Sequence, residues 1–509
     1  MKDFSTISRI GRSAIAAPLA VLLMSGTAQA ALTADQVWQS WKNAAALAGL
    51  TVSAATEAKD GGSLMLNGVT VAPEGLPGLT ISDIVLAEQA DGSVLITPGA
   101  DIGMDYAGPN GDTAMVDVAH EGLTLTARED AGALVYAYAA SVLTIDFDSK
   151  FEVPAATADA AALQGVNLGK ISFDDLAGTY SDTPGANRAF GMALTTSKLS
   201  YEIVGDDPDM AVKTTSVSST ADVALEFNVV MAQTVSLMAL QSATDFQKAL
   251  QEGLSLSGRT KQGVSTGTSG QESDFMSYQM AMTAQPGEAT FAFSKDGFAM
   301  DSSSAGLVID FSSPMMPVPV KVTSGPVVAN IASPVMAGDV AGDYALKMQL
   351  TDLAVNEEAW AIVDPVGVFK RDPANLLIDV SGKAKIDFLA MAMAEESGAV
   401  PPVPAPETLN ITSVALSIAG AALAGSGAFT FDNATGMPMP VGEANVSLTG
   451  GNMLIDGLIA TGMMSDEDAM GPRMMMGMFF APGAEPDSLT SKIEAKAGGE
   501  ILVNGQRIQ

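Results

Sequence analysis

The feature that most constrains this chain is a two-residue alternation of apolar with polar or small side chains, which recurs in many short runs. Residues 276–283 and 344–350 are two clear examples, with methionine, tyrosine or leucine at every second position. Successive side chains of a β-strand point to opposite faces of the sheet, so each run predicts a strand with one apolar and one polar face. The sequence therefore predicts a mainly β fold.

Turn residues separate the predicted strands. Asp91-Gly92 lies between Ile81–Leu86 and Ser93–Thr97, and a Gly-Pro-Asn-Gly segment lies between Gly103–Tyr106 and Thr113–Val118. Short strands that are separated by such turns are typical of antiparallel hairpins. We expect a long curved antiparallel sheet of hairpins, either an open groove or sandwich-like, with a few short helices covering it.

One segment occurs twice, near the two ends of the chain. Glu57–Gly68 returns as Glu494–Gly505, and in both copies paired glycines precede a short apolar stretch that ends in Asn-Gly. Asn-Gly readily supplies the positive φ angles of a two-residue hairpin turn. Each copy is therefore predicted to be a hairpin arm with its turn at Asn67-Gly68 or Asn504-Gly505.

Four segments have helical rather than strand periodicity. They are Thr33–Ala48, Thr244–Glu252 with a Thr-x-x-Gln capping box, Asn356–Ile362, and Asn452–Phe480, which is predicted to form two helices broken around Ser465–Pro472. We expect the first helix to cover one end of a sheet.

The first thirty residues have the organisation of a secretory signal peptide. Lys2, Arg9 and Arg12 precede the apolar stretch Ala14–Met24, and Ala28–Ala30 is a small-residue cleavage site. We expect cleavage after Ala30, a periplasmic protein, and no transmembrane segment after cleavage. The predicted organisation is residues 1–30 as signal, 31–235 as an N-terminal hairpin region, 236–400 as a central β region, and 401–509 as a C-terminal β and helix region.

The charge excludes some classes of partner. The net charge is −33, and removal of the signal would make it −35, because that segment holds three basic residues and one acidic residue. Such a chain repels nucleic acids and anionic lipid headgroups. Charged residues are nevertheless only 16% of the sequence and the mean hydropathy is +0.26, so apolar material suffices for a core. There is no cysteine, so disulfides cannot stabilise the fold.

The residues give no support for a catalytic or metal site. Gly263–Gly267 matches the Gly-x-Ser-x-Gly pattern of hydrolases, but it lies in a polar segment that favours a loop, and His120, the one histidine, precedes it in a predicted strand. Asp206, Asp207 and Asp209, and the run Asp466–Asp468, lack the spacing of a calcium loop. We predict a non-enzymatic protein without a cofactor or metal.

Methionine and phenylalanine crowd near the C-terminal end of the chain. Three interpretations compete: core packing, which is favoured, an exposed hydrophobic surface, and thioether ligands for Cu(I). The residues of the candidate hydrophobic surface are Met463, Met464, Met474, Met475, Met478, Phe479 and Phe480.

Several short motifs together resemble a known family. They are Val37–Lys42, Asp91-Gly92, Glu358–Trp360 with Asp364-Pro365 and Asp372-Pro373, and the closing segment Gly499–Ile508. The chain is thereby similar to the secreted Gram-negative proteins grouped as domain of unknown function 2125, which implies no catalytic residues. The repeated strand-Asn-Gly-strand arms also resemble AsmA-like envelope proteins, whose curved sheets are associated with lipid handling.

Two functional hypotheses follow. The first is a non-enzymatic periplasmic envelope protein that binds or shields lipid-like material on an apolar sheet face. The alternative is a structural or assembly protein that binds other envelope proteins through exposed sheet edges.

Overall fold

The computed structural model describes residues 31–508 apart from 48, 74, 109–110, 154–162, 209–210, 234, 236–239, 241, 274 and 435. The predicted signal peptide and its cleavage site lie outside the described residues. Strands make up 61% and helices 14% of the structure, and the strands pair in antiparallel fashion, so the predicted mainly β fold with a few short helices is confirmed. The chain divides into two units: the described part of residues 1–241 with 248–279, and residues 242–247 with 280–509.

The elements up to residue 284 are two helices and fourteen strands. They are α1 (Ala34–Leu47), β1 (Leu50–Asp60), β2 (Ser63–Pro73), β3 (Leu79–Glu88), β4 (Val94–Pro98), β5 (Ile102–Ala107), β6 (Thr113–Glu121), β7 (Thr124–Asp130), β8 (Ala133–Val153), β9 (Leu163–Thr183), β10 (Asn187–Asp207), β11 (Val212–Ala232), α2 (Ala243–Gln251), β12 (Ser255–Gln262), β13 (Ser265–Ser273) and β14 (Tyr278–Ala284). The limits between the two units fall within the second helix and within the fourteenth strand.

Hairpin pairing runs through the first unit. β3 pairs with β4 around the Asp91-Gly92 turn, and β5 pairs with β6, so both predicted hairpins are confirmed. The four long strands β8 to β11 pair in sequence order, and β11 then pairs with both β12 and β13.

Helix α1 closes the core of the first unit. Trp38 and Trp41 are 1% exposed and meet edge to face at 5.9 Å, and they belong to one apolar cluster with Leu64, Leu66 and Val69. Trp38 Nε1 donates to Glu57 Oε1 at 2.8 Å, and this bond, aided by Lys42, holds the pKa of the Glu57 carboxyl below its usual value. The predicted helix and its covering role are confirmed.

The N-terminus of α1 is a capping box. The amide of Gln36 donates to Thr33 Oγ1 at 3.3 Å, and the amide of Thr33 donates to Gln36 Oε1 at 2.8 Å. Each side chain thereby satisfies a backbone donor that the helix leaves free. Thr33, the first residue of the predicted helical segment, is therefore the N-cap of α1.

The two copies of the repeated segment fold differently. Asn504 and Gly505, with φ of 51° and 78°, form the predicted two-residue turn between paired residues Val503 and Gln506. The prediction is wrong for Asn67-Gly68, which lies inside β2. The turn of that copy is Gly61-Gly62, since Asp60 pairs with Ser63, and the hairpin continues past Gly68 without a change of register.

The alternation shifts by one residue near the middle of the long strands. In β8 the apolar positions are Tyr136, Tyr138 and Ala140, and then Leu143 and Ile145, although pairing with β9 keeps one register. The shift coincides with positive φ in the neighbouring strands, 51° at Asp175 and 49° at Asp222. Ser197 of β10 lies between these two and donates to Asp175 Oδ2 at 2.7 Å. A residue outside the extended conformation changes the face of the sheet to which the following side chains point. One core cluster therefore contains residues from both sides of the shift.

A buried ion pair joins the ends of β9 and β10. Arg188 donates through Nε and Nη2 to the two carboxylate oxygens of Asp182 at 2.7 and 2.6 Å, and its guanidinium lies 5.3 Å from the Phe190 ring centre. The Asp182 side chain is fully buried and that of Arg188 is 14% exposed. The carboxylate is therefore removed from water and depends on this one arginine.

Replacing Arg188 should destabilise the first unit strongly. R188A leaves the Asp182 carboxylate buried without its partner, so we expect the free energy of unfolding to fall by about 3–5 kcal/mol in urea denaturation followed by circular dichroism. The control K170A removes an exposed ion pair, in which Lys170 Nζ lies 3.5 Å from Asp146 Oδ1. It should lower the free energy of unfolding by about 1 kcal/mol or less. Equal effects of the two substitutions would contradict the structural role given to Asp182.

The remaining elements belong to the second unit. They are β15 (Gly287–Ser294), β16 (Gly297–Ser304), β17 (Leu307–Ser312), β18 (Val320–Ser324), β19 (Val327–Ser333), β20 (Gly342–Val355), α3 (Glu357–Val363), β21 (Ala374–Lys385), α4 (Phe388–Ser397), β22 (Ala405–Ile418), β23 (Ala421–Asp432), β24 (Met439–Thr449), α5 (Gly451–Ala460), α6 (Asp466–Phe479), β25 (Ala481–Pro482), β26 (Ser488–Ala495), β27 (Ile501–Val503) and β28 (Gln506–Arg507).

The predicted helices near residues 250, 360 and 452–480 all exist, with two corrections. The cap of α2 is Ser242, whose Oγ accepts from the amide of Asp245 at 3.2 Å, rather than Thr244. The break between α5 and α6 covers residues 461–465, because Ser465 caps α6 through the amide of Asp468 at 3.1 Å. Pro472 lies inside α6, where it removes one backbone hydrogen bond, and not at the break.

Candidate functional site: an aliphatic sheet face and a methionine helix

Cross-strand register in the second unit aligns apolar side chains into rows. Directly paired residues share a face of a sheet, so the pairings of β15 to β27 can be followed from strand to strand. The first row, which we call the leucine row, is Val327, Leu350, Leu376, Leu416, Leu423, Leu448 and Leu489. The row is almost entirely leucine because each strand places one at the same level.

Two further rows run beside the leucine row on the same face. The middle row is Ala289, Ser302, Ala329, Met348, Ile378, Val414, Gly425, Val446 and Ser491, and the outer row is Phe291, Met300, Ile331, Leu346, Val380, Ile411, Gly427, Ala444, Ile493 and Val503. No charged residue occurs in the three rows, which together we call the aliphatic face.

Bulges keep the rows aligned. The pairing of β21 with β22 slips by one residue between Asp379 and Val380, so that Ile378 faces Val414 while Val380 faces Ile411. Without this extra residue, one half of β22 would present its polar side chains to the aliphatic face, because a one-residue slip exchanges the two faces of a strand.

The aliphatic face is only partly covered. Only Ala444, Ser491 and Val503 in the three rows are buried, whereas Met348 and Leu416 are 43% and 39% exposed. The first unit differs, since Leu64, Leu66 and Val69 there are at most 1% exposed. The second unit therefore keeps a broad apolar surface in contact with solvent, which soluble proteins rarely do without a function for it.

The opposite face of the same strands is polar. One row across it contains Asp301, Asn330, Lys347, Asp379 and Ser413, and Asn330 Nδ2 donates to Asp301 Oδ1 at 2.6 Å. On the same face, beyond the pair Ala345 and Ser381, Lys383 Nζ donates to Asp343 Oδ1 at 2.6 Å. The sheet is thus amphipathic, with one polar face and one apolar face.

Helix α5 packs closely at one end of the leucine row. A Cβ atom on Gly451 would lie 2.9 Å from Leu448 Cδ2 and 3.2 Å from Met476 Sδ, and one on Gly457 would lie 2.5 Å from the ring of Phe369. Glycine at these two positions lets the helix backbone approach the sheet, α6 and Phe369.

Two aspartates, the half-buried Asp487 and the buried Asp364, position the segments around α5. Asp487 accepts from the amides of Asn452 and Met453 at 3.2 and 3.1 Å, so it caps α5 from a distant part of the chain. Asp364 follows α3 and accepts from the amides of Val368 and Phe369 at 2.8 and 3.0 Å.

The pKa of the Asp364 carboxyl reflects two opposing effects. Burial alone would raise it, but the donated amide hydrogen bonds and the nearby Arg371 guanidinium hold the pKa below its usual value. The ionised carboxylate is therefore the form that orders the Pro365–Phe369 loop, in which Phe369 packs on Trp360 at 6.4 Å between ring centres.

The structure separates the candidate residues of the predicted methionine surface. Four of them are 51–65% exposed: Met463, Met474, Met475 and Met478. The nearby Met470 is also exposed, whereas the other three candidates, Met464, Phe479 and Phe480, are half-buried. Core packing, the interpretation favoured by the sequence, is wrong for the exposed residues. The face of α6 that packs inward instead uses Ala469 and Met476, and Arg473 forms an ion pair with Asp456 of α5.

Gly263–Gly267 does not form a catalytic elbow. Gly263 and Val264 lie between β12 and β13, which pair with β11 in one continuous register, and both residues hydrogen-bond with the backbone of Ala221. Ser265 begins β13, where its Oγ hydrogen-bonds with Thr220 Oγ1 at 2.9 Å. The expected loop is therefore wrong from Ser265 onward. His120 lies in β6 as expected, with Nε2 3.1 Å from the carbonyl oxygen of Gly99.

The acidic clusters serve local structure. Asp206 lies 3.5 Å from Lys213 Nζ, Asp209 lies outside the described residues, and Asp468 takes part in the cap of α6. Within the part of the chain that the structure describes, no three histidine, aspartate or glutamate side chains converge as metal ligands. None of the described helices is both long and apolar enough to cross a membrane.

Comparisons with known proteins give no assignment. No protein-family model, no curated protein and no solved structure matches this chain significantly.

The depressed pKa of Asp364 makes its contribution to stability pH-dependent. D364N should lower the free energy of unfolding at pH 7, because the amide cannot replace both carboxylate oxygens as acceptors. The pKa of Asp364 in the folded state lies below the value of about 3.9 for the unfolded chain. The ionised carboxylate therefore makes its full contribution to the free energy of unfolding above about pH 3.9, and this contribution is lost as the pH falls through the folded-state pKa. The difference between wild type and D364N in urea denaturation should therefore shrink below about pH 4.

The exposed Asp372 provides the control for this measurement. D372N should change the free energy of unfolding by about 0.5 kcal/mol or less at pH 7. A difference between wild type and D364N that stays constant from pH 7 to pH 3 would contradict the role of the ionised carboxylate.

Proposed function

We propose that this chain is a non-enzymatic envelope protein of the periplasm that binds or shields lipid-like molecules on the aliphatic face. The observation that carries the proposal is the three-row apolar surface, which is uncharged and partly exposed to solvent across β19 to β24. Burial of apolar surface contributes about 25 cal/mol per Å², so hydrocarbon chains that cover this face would gain substantial binding free energy.

The composition of the aliphatic face favours hydrocarbon chains over a polar ligand. Its rows are mainly leucine, isoleucine and valine, and they offer few side-chain donors or acceptors to orient a small polar molecule. Small-molecule sites usually combine an apolar lining with a few convergent polar groups. A face of this kind suits chains that differ in length and headgroup.

The periplasmic location rests on the signal-like organisation of residues 1–30, and the resemblance to secreted Gram-negative proteins and to AsmA-like proteins agrees with it. The acidic character of the chain disfavours anionic headgroups. We therefore expect neutral or zwitterionic lipids to bind better than anionic ones.

The alternative function is assembly with other envelope proteins through a sheet edge. β1 pairs only with β2 among the pairings of the described strands, and its first half, Leu50–Ala55, carries no charge. The second half contains Glu57, Lys59 and Asp60, and such charges discourage edge pairing. The free edge is therefore short, and the aliphatic face is the better supported site.

Lipid binding should depend on the aliphatic face and not on the opposite face of the same strands. M348Q with L416N places amides at the two exposed positions of the face, so a fluorescent phosphatidylcholine should bind at least about tenfold more weakly, since each lost apolar contact costs about 1.5 kcal/mol or more. Both side chains are already exposed, so the fold should survive. The measurement is a fluorescence titration with circular dichroism of each variant.

K347Q, next to Met348 on the polar face, is the matched control and should bind as wild type does. Native mass spectrometry of protein purified from its own periplasm should show bound lipid. Purified protein that carries no lipid and does not bind the fluorescent phosphatidylcholine would refute the proposal. A stoichiometric protein partner captured by crosslinking would favour the alternative.

A further inference from the structure

The solvent face of α6 is built from thioethers. Met470, Met474 and Met478 recur every four residues and so lie on one side of the helix, and Met475 adjoins them. These four side chains are 58–65% exposed and are the only large apolar side chains exposed on α6. The opposite side of the helix holds Ala469, Met476 and Arg473, which make the contacts described above.

The choice of methionine is itself informative. Where the second unit presents an apolar surface in its sheet, it uses mostly leucine, isoleucine and valine. Docking surfaces also commonly rely on aromatic anchors, and among the residues of α6 the aromatic Phe479 is half-buried. All the large apolar groups on this exposed helix face are thioethers. A thioether contains a soft sulfur donor, which aliphatic side chains lack.

The spacing of Met474, Met475 and Met478 along α6 brings three thioether side chains within reach of one another. Met478 lies one turn beyond the other two, at spacings of four and three residues, and its Cβ is therefore about 5–6 Å from each of theirs. Methionine is unbranched and has three rotatable side-chain bonds, so the three sulfurs can turn toward a common point. The helix backbone supplies the spacing, and the exposed side chains can rearrange without disturbing the core.

We propose that Met474, Met475 and Met478 form a Cu(I) site on the surface of α6. Thioethers are soft ligands that select Cu(I) among biological metals. The chain has no cysteine and one histidine, so methionine is its main soft donor. Asp466, Glu467 and Asp468 are exposed in the first turn of α6, and their negative charge raises the local concentration of cations. The site is independent of the proposed function of the aliphatic face.

Substitution by leucine separates sulfur ligation from apolar character. M474L/M475L/M478L keeps side-chain volume, apolar surface and helix propensity, so α6 should remain folded and only the sulfur donors are lost. The full chain is titrated anaerobically with Cu(I) against the chromophoric chelator bicinchoninate. Wild type should withdraw about one equivalent. The variant should bind at least about tenfold more weakly, since even changes to groups that only support metal ligands commonly cost about tenfold or more in affinity.

The control replaces exposed methionines that lie far apart in the chain. M65L/M276L/M315L removes three thioethers that are 43%, 49% and 75% exposed, and it should bind Cu(I) as wild type does. Methyl resonances of the methionines, recorded while Ag(I) is added as a redox-stable substitute, should shift first for residues 474, 475 and 478.

Three results would overturn the proposal. They are no Cu(I) withdrawn by wild type, equal binding by wild type and M474L/M475L/M478L, and equal losses in the two triple variants, which would indicate adventitious thioether binding only. Phosphatidylcholine binding by M474L/M475L/M478L should match wild type.

Discussion

An amphipathic sheet must either cover its apolar face or leave it to a ligand, and the two units of this chain differ in that respect. In the first unit α1 packs Trp38 and Trp41 onto the leucines of β2, and the bond from Trp38 to Glu57 fixes the helix over the hairpin. In the second unit α5 packs against the leucine row near Leu448, at one end of the row. Most of the aliphatic face therefore stays partly exposed to solvent.

Strand register, rather than any single residue, creates the aliphatic face. Leu376 and Leu423 belong to strands that are not neighbours, and they share a face because Leu416 pairs with both. Paired strands place such residues about 4.8 Å apart, so a row grows by one side chain per strand. The bulge before Val380 shows that the alignment is maintained even where the strands are irregular.

The sequence predicted what depends on neighbours along the chain and missed what depends on partners across the sheet. The alternation, the turn at Asp91-Gly92 and the helix from Thr33 follow from local chemistry, and all three predictions are confirmed. Asn67-Gly68 and Asn504-Gly505 are locally alike, yet only the second is a turn, because the first continues in register between β1 and β3. The exposure of Met474 and Met478 likewise depends on which side of α6 packs on α5, and composition alone does not determine that.

Lipid binding on the aliphatic face requires that water reach this face in the free protein. Solvent paramagnetic relaxation of methyl-labelled leucine measures this directly for each side chain. We predict strong relaxation at Leu346, Leu376 and Leu416, weak relaxation at Leu64 and Leu66, and protection of the first group when phosphatidylcholine is added. Relaxation at Leu346, Leu376 and Leu416 as weak as at Leu64 in the lipid-free protein would show a closed, packed core and contradict the account.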